Sequence, residues 1–177
     1  MVHRLFRTSC LLSSVTCLLL LAACGKRETP VDEGIRTQTL LVGNLAEPRD
    51  LDPQVITAYT DMNIVAAIFE GLTVLDEQTG SPLPGAADRW DVSPDGLVYT
   101  FHLRANGRWS NGDKVTAQDF AYSFQRILSP AFASEYSYML WPIKNAEAFT
   151  SGKLKDFAQV GIATPDDATL VLTLERP

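Results

Sequence analysis

The strongest constraint on this chain is its opening. Leu21-Ala22-Ala23-Cys24 closes an apolar run that begins near Leu11, and Arg4 and Arg7 are the only charged side chains of the first 23 residues with His neutral at pH 7. A basic start, an apolar middle of about 13 residues and small residues ahead of a cysteine describe a secretory signal peptide. The cysteine at the cleavage point makes it a lipoprotein leader, with Cys24 as the acylated first residue of the mature chain. A membrane-spanning helix is the competing reading. It needs about 20 apolar residues, and Ser13, Ser14 and Thr16 interrupt a run already shorter than that. Cys10 and Cys17 leave with the leader and acylation engages Cys24, so no thiol remains for a disulfide or a cysteine metal site. The exported part, roughly 154 of the 177 residues, must hold together by core packing alone, and is long enough for about one domain.

Lipidation predicts an extracytoplasmic, membrane-anchored protein. Each buried methylene of an acyl chain contributes roughly 0.8 kcal/mol, so several chains anchor stably where one does not. Gly25 stands where an aspartate associated with inner-membrane retention would stand, which points to the outer membrane if the cell is Gram-negative. The lipid bilayer is thus the first expected partner, and the periplasm the expected compartment of a Gram-negative cell. Acidic residues outnumber basic ones, 21 to 15, and loss of Arg4 and Arg7 makes the mature charge two units more negative than −6. That balance argues against nucleic-acid binding through a basic face.

Along the chain, residues 24–38 are polar without an apolar period and read as a flexible tether after Cys24. Order is expected from Thr39, with a β-rich run to Gly43. Leu51-Asp52-Pro53 reads as an extended loop, because a residue before proline avoids helical angles. A helix is predicted from Asp61 to Phe69, capped by Thr60 or Asp61, with Ile64, Val65, Ile68 and Phe69 on one face and Gly71 ending it. Leu72–Leu75 reads as a short strand. Ala87–Val92 and Val98–Leu103, joined by Ser93-Pro94-Asp95-Gly96, read as a hairpin. In its second arm Tyr99, Phe101 and Leu103 alternate with Thr100, His102 and Arg104. The clearest helix is Ala117–Leu128, with Thr116 as N-cap, Asp119 three residues on, and Ser129-Pro130 as its stop. A helical turn within Ala133–Leu140, a helix over Asn145–Thr150 and a strand over Thr169–Leu174 after a Pro165-Asp166-Asp167 turn complete the pattern.

Catalytic chemistry is hard to find. After the leader the chain keeps one histidine, His102, inside an alternating strand, where it reads as a solvent-face residue. No Gly-x-Ser-x-Gly, HExxH or phosphate-cradling glycine loop occurs. Asp166-Asp167 could be a carboxylate pair or a calcium ligand, but their place beside Pro165 reads as turn chemistry without EF-hand spacing. The sequence therefore predicts no enzyme, no cofactor and no metal.

Several motifs together point to binding instead. Gly85-Ala86-Ala87-Asp88-Arg89-Trp90-Asp91-Val92-Ser93-Pro94-Asp95-Gly96 runs on to Tyr99-Thr100-Phe101-His102-Leu103-Arg104, then to Trp109-Ser110-Asn111-Gly112 and Val115-Thr116-Ala117-Gln118-Asp119-Phe120. Leu51-Asp52-Pro53 and Phe69-Glu70-Gly71-Leu72 stand upstream. This ordered set, from Thr39 to Pro177, resembles the solute-binding proteins of ABC peptide importers, extracellular family 5, and most closely the oligopeptide-binding type. Asn111-Gly112 replaces a frequent Asp-Gly of that family.

The resemblance implies an α/β protein with α+β character in its extra domain, the N-terminal part of a type II periplasmic-binding-protein-like fold. By that comparison residues 39–69 open the first lobe and residues 70–177 form a small extra domain. The second lobe is absent, with the acid that pairs with a peptide's amino terminus in relatives. The implied function is a lipid-anchored solute-binding subunit that holds oligopeptides through their backbone and delivers them to an ABC permease of the inner or plasma membrane. Ligand contacts transfer by motif position to Thr57, Ala58 and Tyr59, which follow the Leu-Asp-Pro segment, and to Tyr136, which follows the long helix. Ordinary packing is the competing role for both tyrosines, and core packing the expected role of Trp90, Trp109, Phe120 and Phe124. Two other readings stay open: a truncated remnant or interaction module without ligand, and a family member that takes dipeptides or another solute.

Overall fold

The computed structural model describes residues 28–177. Cys24 and the expected leader lie outside the described residues. The described residues divide into two units, one ending at Gly43 and the other spanning residues 44–177.

In the first unit Pro30–Thr37 forms a two-turn helix, α1, inside the stretch whose polarity suggested a tether. Local chemistry explains it. Thr29 Oγ1 accepts from the N–H of Asp32 at 3.1 Å, and Asp32 Oδ2 accepts from the N–H of Thr29 at 3.1 Å, a reciprocal capping box with Pro30 at the first position. Gln38 leaves the helix at φ 56°. The β-rich run from Thr39 to Gly43 forms no strand. Its residues have strand propensity, but no strand among the described residues pairs with them, and a lone strand leaves its N–H and C=O groups unmatched.

The second unit begins with a loop to α2, Tyr59–Ile68. This helix starts two residues before the predicted Asp61 and stops before Phe69, which is extended at φ −115° and ψ 152°. Ala58 is the N-cap, and neither Thr60 nor Asp61 caps the helix, because both lie in its first turn. Val65 is buried, whereas Ile68 and Phe69 are exposed. A small hairpin of β1, Thr73–Leu75, and β2, Pro82–Pro84, follows. Asp76 organises its turn by accepting from the N–H of Gln78 and of Thr79 at 2.9 and 2.8 Å.

The main sheet contains β3 (Ala87–Val92), β4 (Val98–Leu103), β5 (Ile162–Asp166) and β6 (Thr169–Thr173) in the order β3-β4-β6-β5, antiparallel throughout. The β3–β4 hairpin has the predicted boundaries. Gly96 N–H donates to Ser93 C=O at 2.8 Å, and Gly96 takes φ 71°, a conformation glycine adopts without a Cβ clash. Strand β5 was not anticipated: Pro165 and Asp166 belong to it, and the turn is Asp167-Ala168. Proline is tolerated there because β5 is an edge strand. Asp166 accepts from Ala168 N–H at 2.8 Å and Thr169 Oγ1 at 3.0 Å, so its carboxylate serves the turn.

One face of this sheet is covered by α3, Ala117–Leu128, whose limits match the sequence reading. Asp119 Oδ2 accepts from both the N–H and the hydroxyl of Thr116, at 2.7 and 3.0 Å. Phe120 and Phe124 pack with Phe101 against buried Ala87, Leu103, Ala117 and Leu170. A second cluster joins Leu128 to Ile143, Ala146, Phe149 and Val160, with α4 (Ala146–Thr150) supplying Phe149. Trp90 is half-buried beside Phe101, but Trp109 departs from the core role and is 45% exposed. Its loop lies at the surface, and the indole N–H points to Asp119 at 3.4 Å. His102 points away from the core, 2.9 Å from the exposed Asp91 carboxylate.

Two glycines belong to tight backbone crossings. A Cβ on Gly85 would lie 2.7 Å from Gly71 C=O, so the backbone of the Gly85-Ala86 segment passes directly against that of Glu70-Gly71. Arg104 seals that crossing, pairing with both Glu70 oxygens and donating to Gly85 C=O at 3.3 Å. A Cβ on Gly161 would lie 2.4 Å from Thr173 C=O and 2.9 Å from Lys144 Cβ. Gly161→Ala is therefore expected to lower unfolding stability by about 1–3 kcal/mol in a urea titration. An unchanged midpoint would show that the crossing relaxes freely.

Candidate functional site

Asp52 sits in the Leu51-Asp52-Pro53 loop, and its backbone C=O accepts from the N–H of Val55 and Ile56 at 3.0 and 3.2 Å. Its carboxylate meets the guanidinium of Arg126 on α3 in a two-pronged pair, Nη2 to Oδ2 at 2.6 Å and Nη1 to Oδ1 at 3.1 Å. Such planar, bidentate pairs are among the stronger charge-assisted hydrogen bonds. Both side chains are about two-thirds buried, at 28% and 33% exposure, and Phe132 lies 4.0 Å beneath the guanidinium. Hydrogen bonding from Arg126 holds the Asp52 carboxyl below the usual aspartate range, against the opposing effect of burial and with help from the Gln54 N–H. Asp52 correspondingly raises Arg126.

Gln54 completes the attachment. Its Oε1 accepts from Arg126 Nη1 at 2.8 Å, and its Nε2 donates to Ser123 C=O and Oγ at 2.9 and 2.6 Å. Ser123 and Arg126 are three positions apart on α3 and therefore share a face. The backbone C=O of Gln54 accepts from Ser134 Oγ at 2.8 Å. Ile56, 3% exposed, then anchors the chain.

The candidate ligand residues follow immediately. Thr57 and Tyr59 are exposed, Tyr59 at 73%, and Ala58 is extended at φ −96° and ψ 145°. Ala58 C=O is taken by the N–H groups of Asp61 and Met62 at 3.2 and 3.1 Å. Among the described residues no main-chain partner engages the N–H or C=O of Thr57, nor the N–H of Ala58 or Tyr59. Behind them the carboxylate of Asp61, 2% exposed, accepts from Arg49 N–H at 3.0 Å, and Asn44 Nδ2 donates to Thr60 C=O at 3.0 Å. The segment is thus fixed on both sides while its own polar edge stays open.

Tyr136 is 38% exposed and lies two residues beyond Ser134, at the entry to the 3-10 turn Ser137–Leu140. Its ring is tilted at 56° to that of Tyr138, with centroids 6.1 Å apart. The family motif named Thr57, Ala58, Tyr59 and Tyr136 as candidates, whereas Gln54, Ser123, Arg126 and Ser134, which hold the segment, were not named. The ties that join Asp52 and Gln54 to Ser123, Arg126 and Ser134 cross more than 60 residues, and a single sequence carries no signal for such pairs. Cys24 lies outside the described residues, and no group of three or more potential metal-ligating side chains is found among them. No described helix is long and apolar enough to cross a membrane.

A family pattern, bacterial extracellular solute-binding proteins, family 5 Middle, matches residues 81–177. The chain belongs to this family of exported binding proteins. It is 44% identical over 142 residues to the periplasmic oligopeptide-binding protein OppA of Escherichia coli, covering 79% of this chain and 26% of that protein. It is 37% identical over 169 residues to the probable deoxycholate-binding periplasmic protein YgiS of the same species, covering 94% of this chain and 31% of the relative. The structure of Haemophilus influenzae OppA in complex with RPPGFSPFR superposes with a TM-score of 0.70 at 39% identity, over 76% of this chain and 26% of that one. The chain therefore spans less than a third of the length of these relatives. The similarity supports the expected class: mixed helix and sheet in the manner of OppA-like periplasmic binding proteins.

The Asp52–Arg126 pair has a defined pH signature. Because the folded carboxyl titrates below its unfolded value, the pair's stabilisation is complete above the usual aspartate range and is lost as pH falls through the lowered value. Asp52→Asn is expected to cost about 2 kcal/mol near neutrality, with a shallower loss of stability on acidification than the wild type. Parallel acid-limb slopes in denaturant melts would contradict that assignment.

Proposed function

We propose that this chain provides the opening part of a lipid-anchored, extracytoplasmic solute-binding subunit of a peptide ABC importer. In this reading residues 39–69 begin the first lobe and residues 70–177 are the small domain beside it. Cys24 carries the acyl chains that hold the protein at the membrane, in the periplasm of a Gram-negative cell. The partners are a peptide and the importer's permease, and the chain itself performs no catalysis.

The observation that supports this most is the open main chain from Thr57 to Tyr59, held in place by Ile56 on one side and Asp61 on the other. An extended peptide laid along that edge can exchange backbone hydrogen bonds with it. Backbone pairing reads the repeating amide and leaves side chains free, which suits a carrier of many sequences. Tyr136 offers an apolar ring and one hydroxyl at low entropic cost. The family relatives named for oligopeptides, at up to 44% identity, support the same ligand class.

YgiS, matched over nearly the whole chain, favours a second reading in which the solute is an amphipathic steroid acid. Calorimetry on the longest chain that the reading frame encodes distinguishes the two. The expected result is binding of tetraalanine, retained when its side chains are varied and weakened at least 10-fold when a central amide is N-methylated. One lost charge-free hydrogen bond plus the unpaired partner accounts for a change of about that size. Binding of deoxycholate with no response to peptides would replace the peptide reading.

A further inference from the structure

Gln54 and Ser134 have no role in the reading above, yet they form the direct hydrogen bond between the segment leading to Thr57 and the loop leading to Tyr136. We propose that Gln54 and Ser134 are positioning residues that set the spacing between the open edge at Thr57–Tyr59 and the Tyr136 ring, and so determine how a ligand fits between them. The inference rests on the peptide-binding reading and names the residues that set its geometry.

The two halves of the site come from distant parts of the chain. One follows Pro53 and the other follows α3, and each is a loop that would wander without a fixed point. Gln54 supplies that point. Its amide oxygen takes a donor from Arg126, its amide nitrogen bonds Ser123 twice, and its own N–H is held by Asp52, so both the side-chain amide and the backbone of Gln54 are tethered. The carbonyl of this immobilised residue then receives Ser134 Oγ at 2.8 Å. Only Glu135 separates Ser134 from Tyr136, and two residues separate Gln54 from Thr57. Ala133, at φ 52°, turns the chain sharply just before Ser134. Arg126, stacked on Phe132, holds the start of the same loop. Both ends of the short segment from Phe132 to Ser134 are therefore attached to the network that carries Gln54.

The consequence is a test that separates positioning from bulk stability. Ser134→Ala removes one hydroxyl at a half-buried site and leaves Gln54, Arg126 and Asp52 intact. In the longest encoded chain it is expected to weaken tetraalanine binding about 5-fold, the change equivalent to one net hydrogen bond, with Ser134→Thr restoring it. Because the effect passes through Tyr136, adding Ser134→Ala to Tyr136→Ala is expected to change affinity no further. In the ligand-free protein, Ser134→Ala is expected to speed hydrogen exchange at the Val55 and Ile56 amides, whose bonds to Asp52 C=O belong to the same turn, without moving the global melting point. Wild-type affinity in Ser134→Ala, or full additivity with Tyr136→Ala, overturns the inference while peptide binding itself stands. A wild-type protein that ignores tetraalanine defeats the peptide reading. The exchange measurement then decides the structural part alone, and unchanged Val55 and Ile56 rates overturn it.

Discussion

The architecture of the candidate site depends on one ion pair. Without Arg126, the Leu51-Asp52-Pro53 loop would have no strong attachment to α3, and the segment from Gln54 to Tyr59 would have no defined place. The pair suits this task because it is directional as well as charged. A guanidinium fork meeting a carboxylate fixes orientation in a plane, which a lysine would not do. Partial burial lowers the screening by solvent that makes most surface pairs weak, and Gln54 takes a further donor of the same fork, the second hydrogen of Nη1. A buried ion pair is a poor source of net stability but a good source of geometry. Here geometry is the property that matters.

The rest of the fold supports that arrangement. Helix α3 can present Ser123 and Arg126 because another stripe of the same helix is fixed by Phe120 and Phe124 on the β3-β4-β6-β5 sheet. The sheet is kept in register by a tight Ser93–Gly96 turn and by an Asp166-centred turn between β5 and β6. Carboxylates in this chain serve repeatedly as turn and cap acceptors: Asp32, Asp76, Asp119 and Asp166 each bind backbone N–H groups. The acidic composition thus has a structural use at these positions. The contrast at Thr57–Tyr59 is informative, since both main-chain groups of Thr57 and the N–H groups of Ala58 and Tyr59 have no main-chain partner among the described residues.

Much of the fold was legible because local rules decide it. The hairpin over 87–103, α3 from Ala117 to Leu128, and the strand from Thr169 each carry their own caps, turns and periodicity, and each appears where the pattern places it. Misreadings arose where a partner or a cap overrides local preference. Thr39–Gly43 has strand-forming residues but no strand partner among the described residues. Pro30–Thr37 lacks an apolar stripe, yet a capping box and a proline suffice to start a helix. Strand β5 contains a proline and becomes a strand only through β6. In the candidate site, Thr57, Ala58, Tyr59 and Tyr136 were named through the family motif, whereas Gln54, Ser123, Arg126 and Ser134 emerged only from three-dimensional contacts.

The central claim is that a main-chain edge, held by Asp52, Gln54 and Arg126, receives the backbone of a bound peptide. A crystal structure of the longest encoded chain grown with tetraalanine tests it most directly. The account predicts main-chain hydrogen bonds between the peptide and the Thr57–Tyr59 segment, with the Tyr136 ring against the ligand. A peptide bound elsewhere, or held there by side chains with the Thr57 and Tyr59 amides still facing solvent, would contradict it.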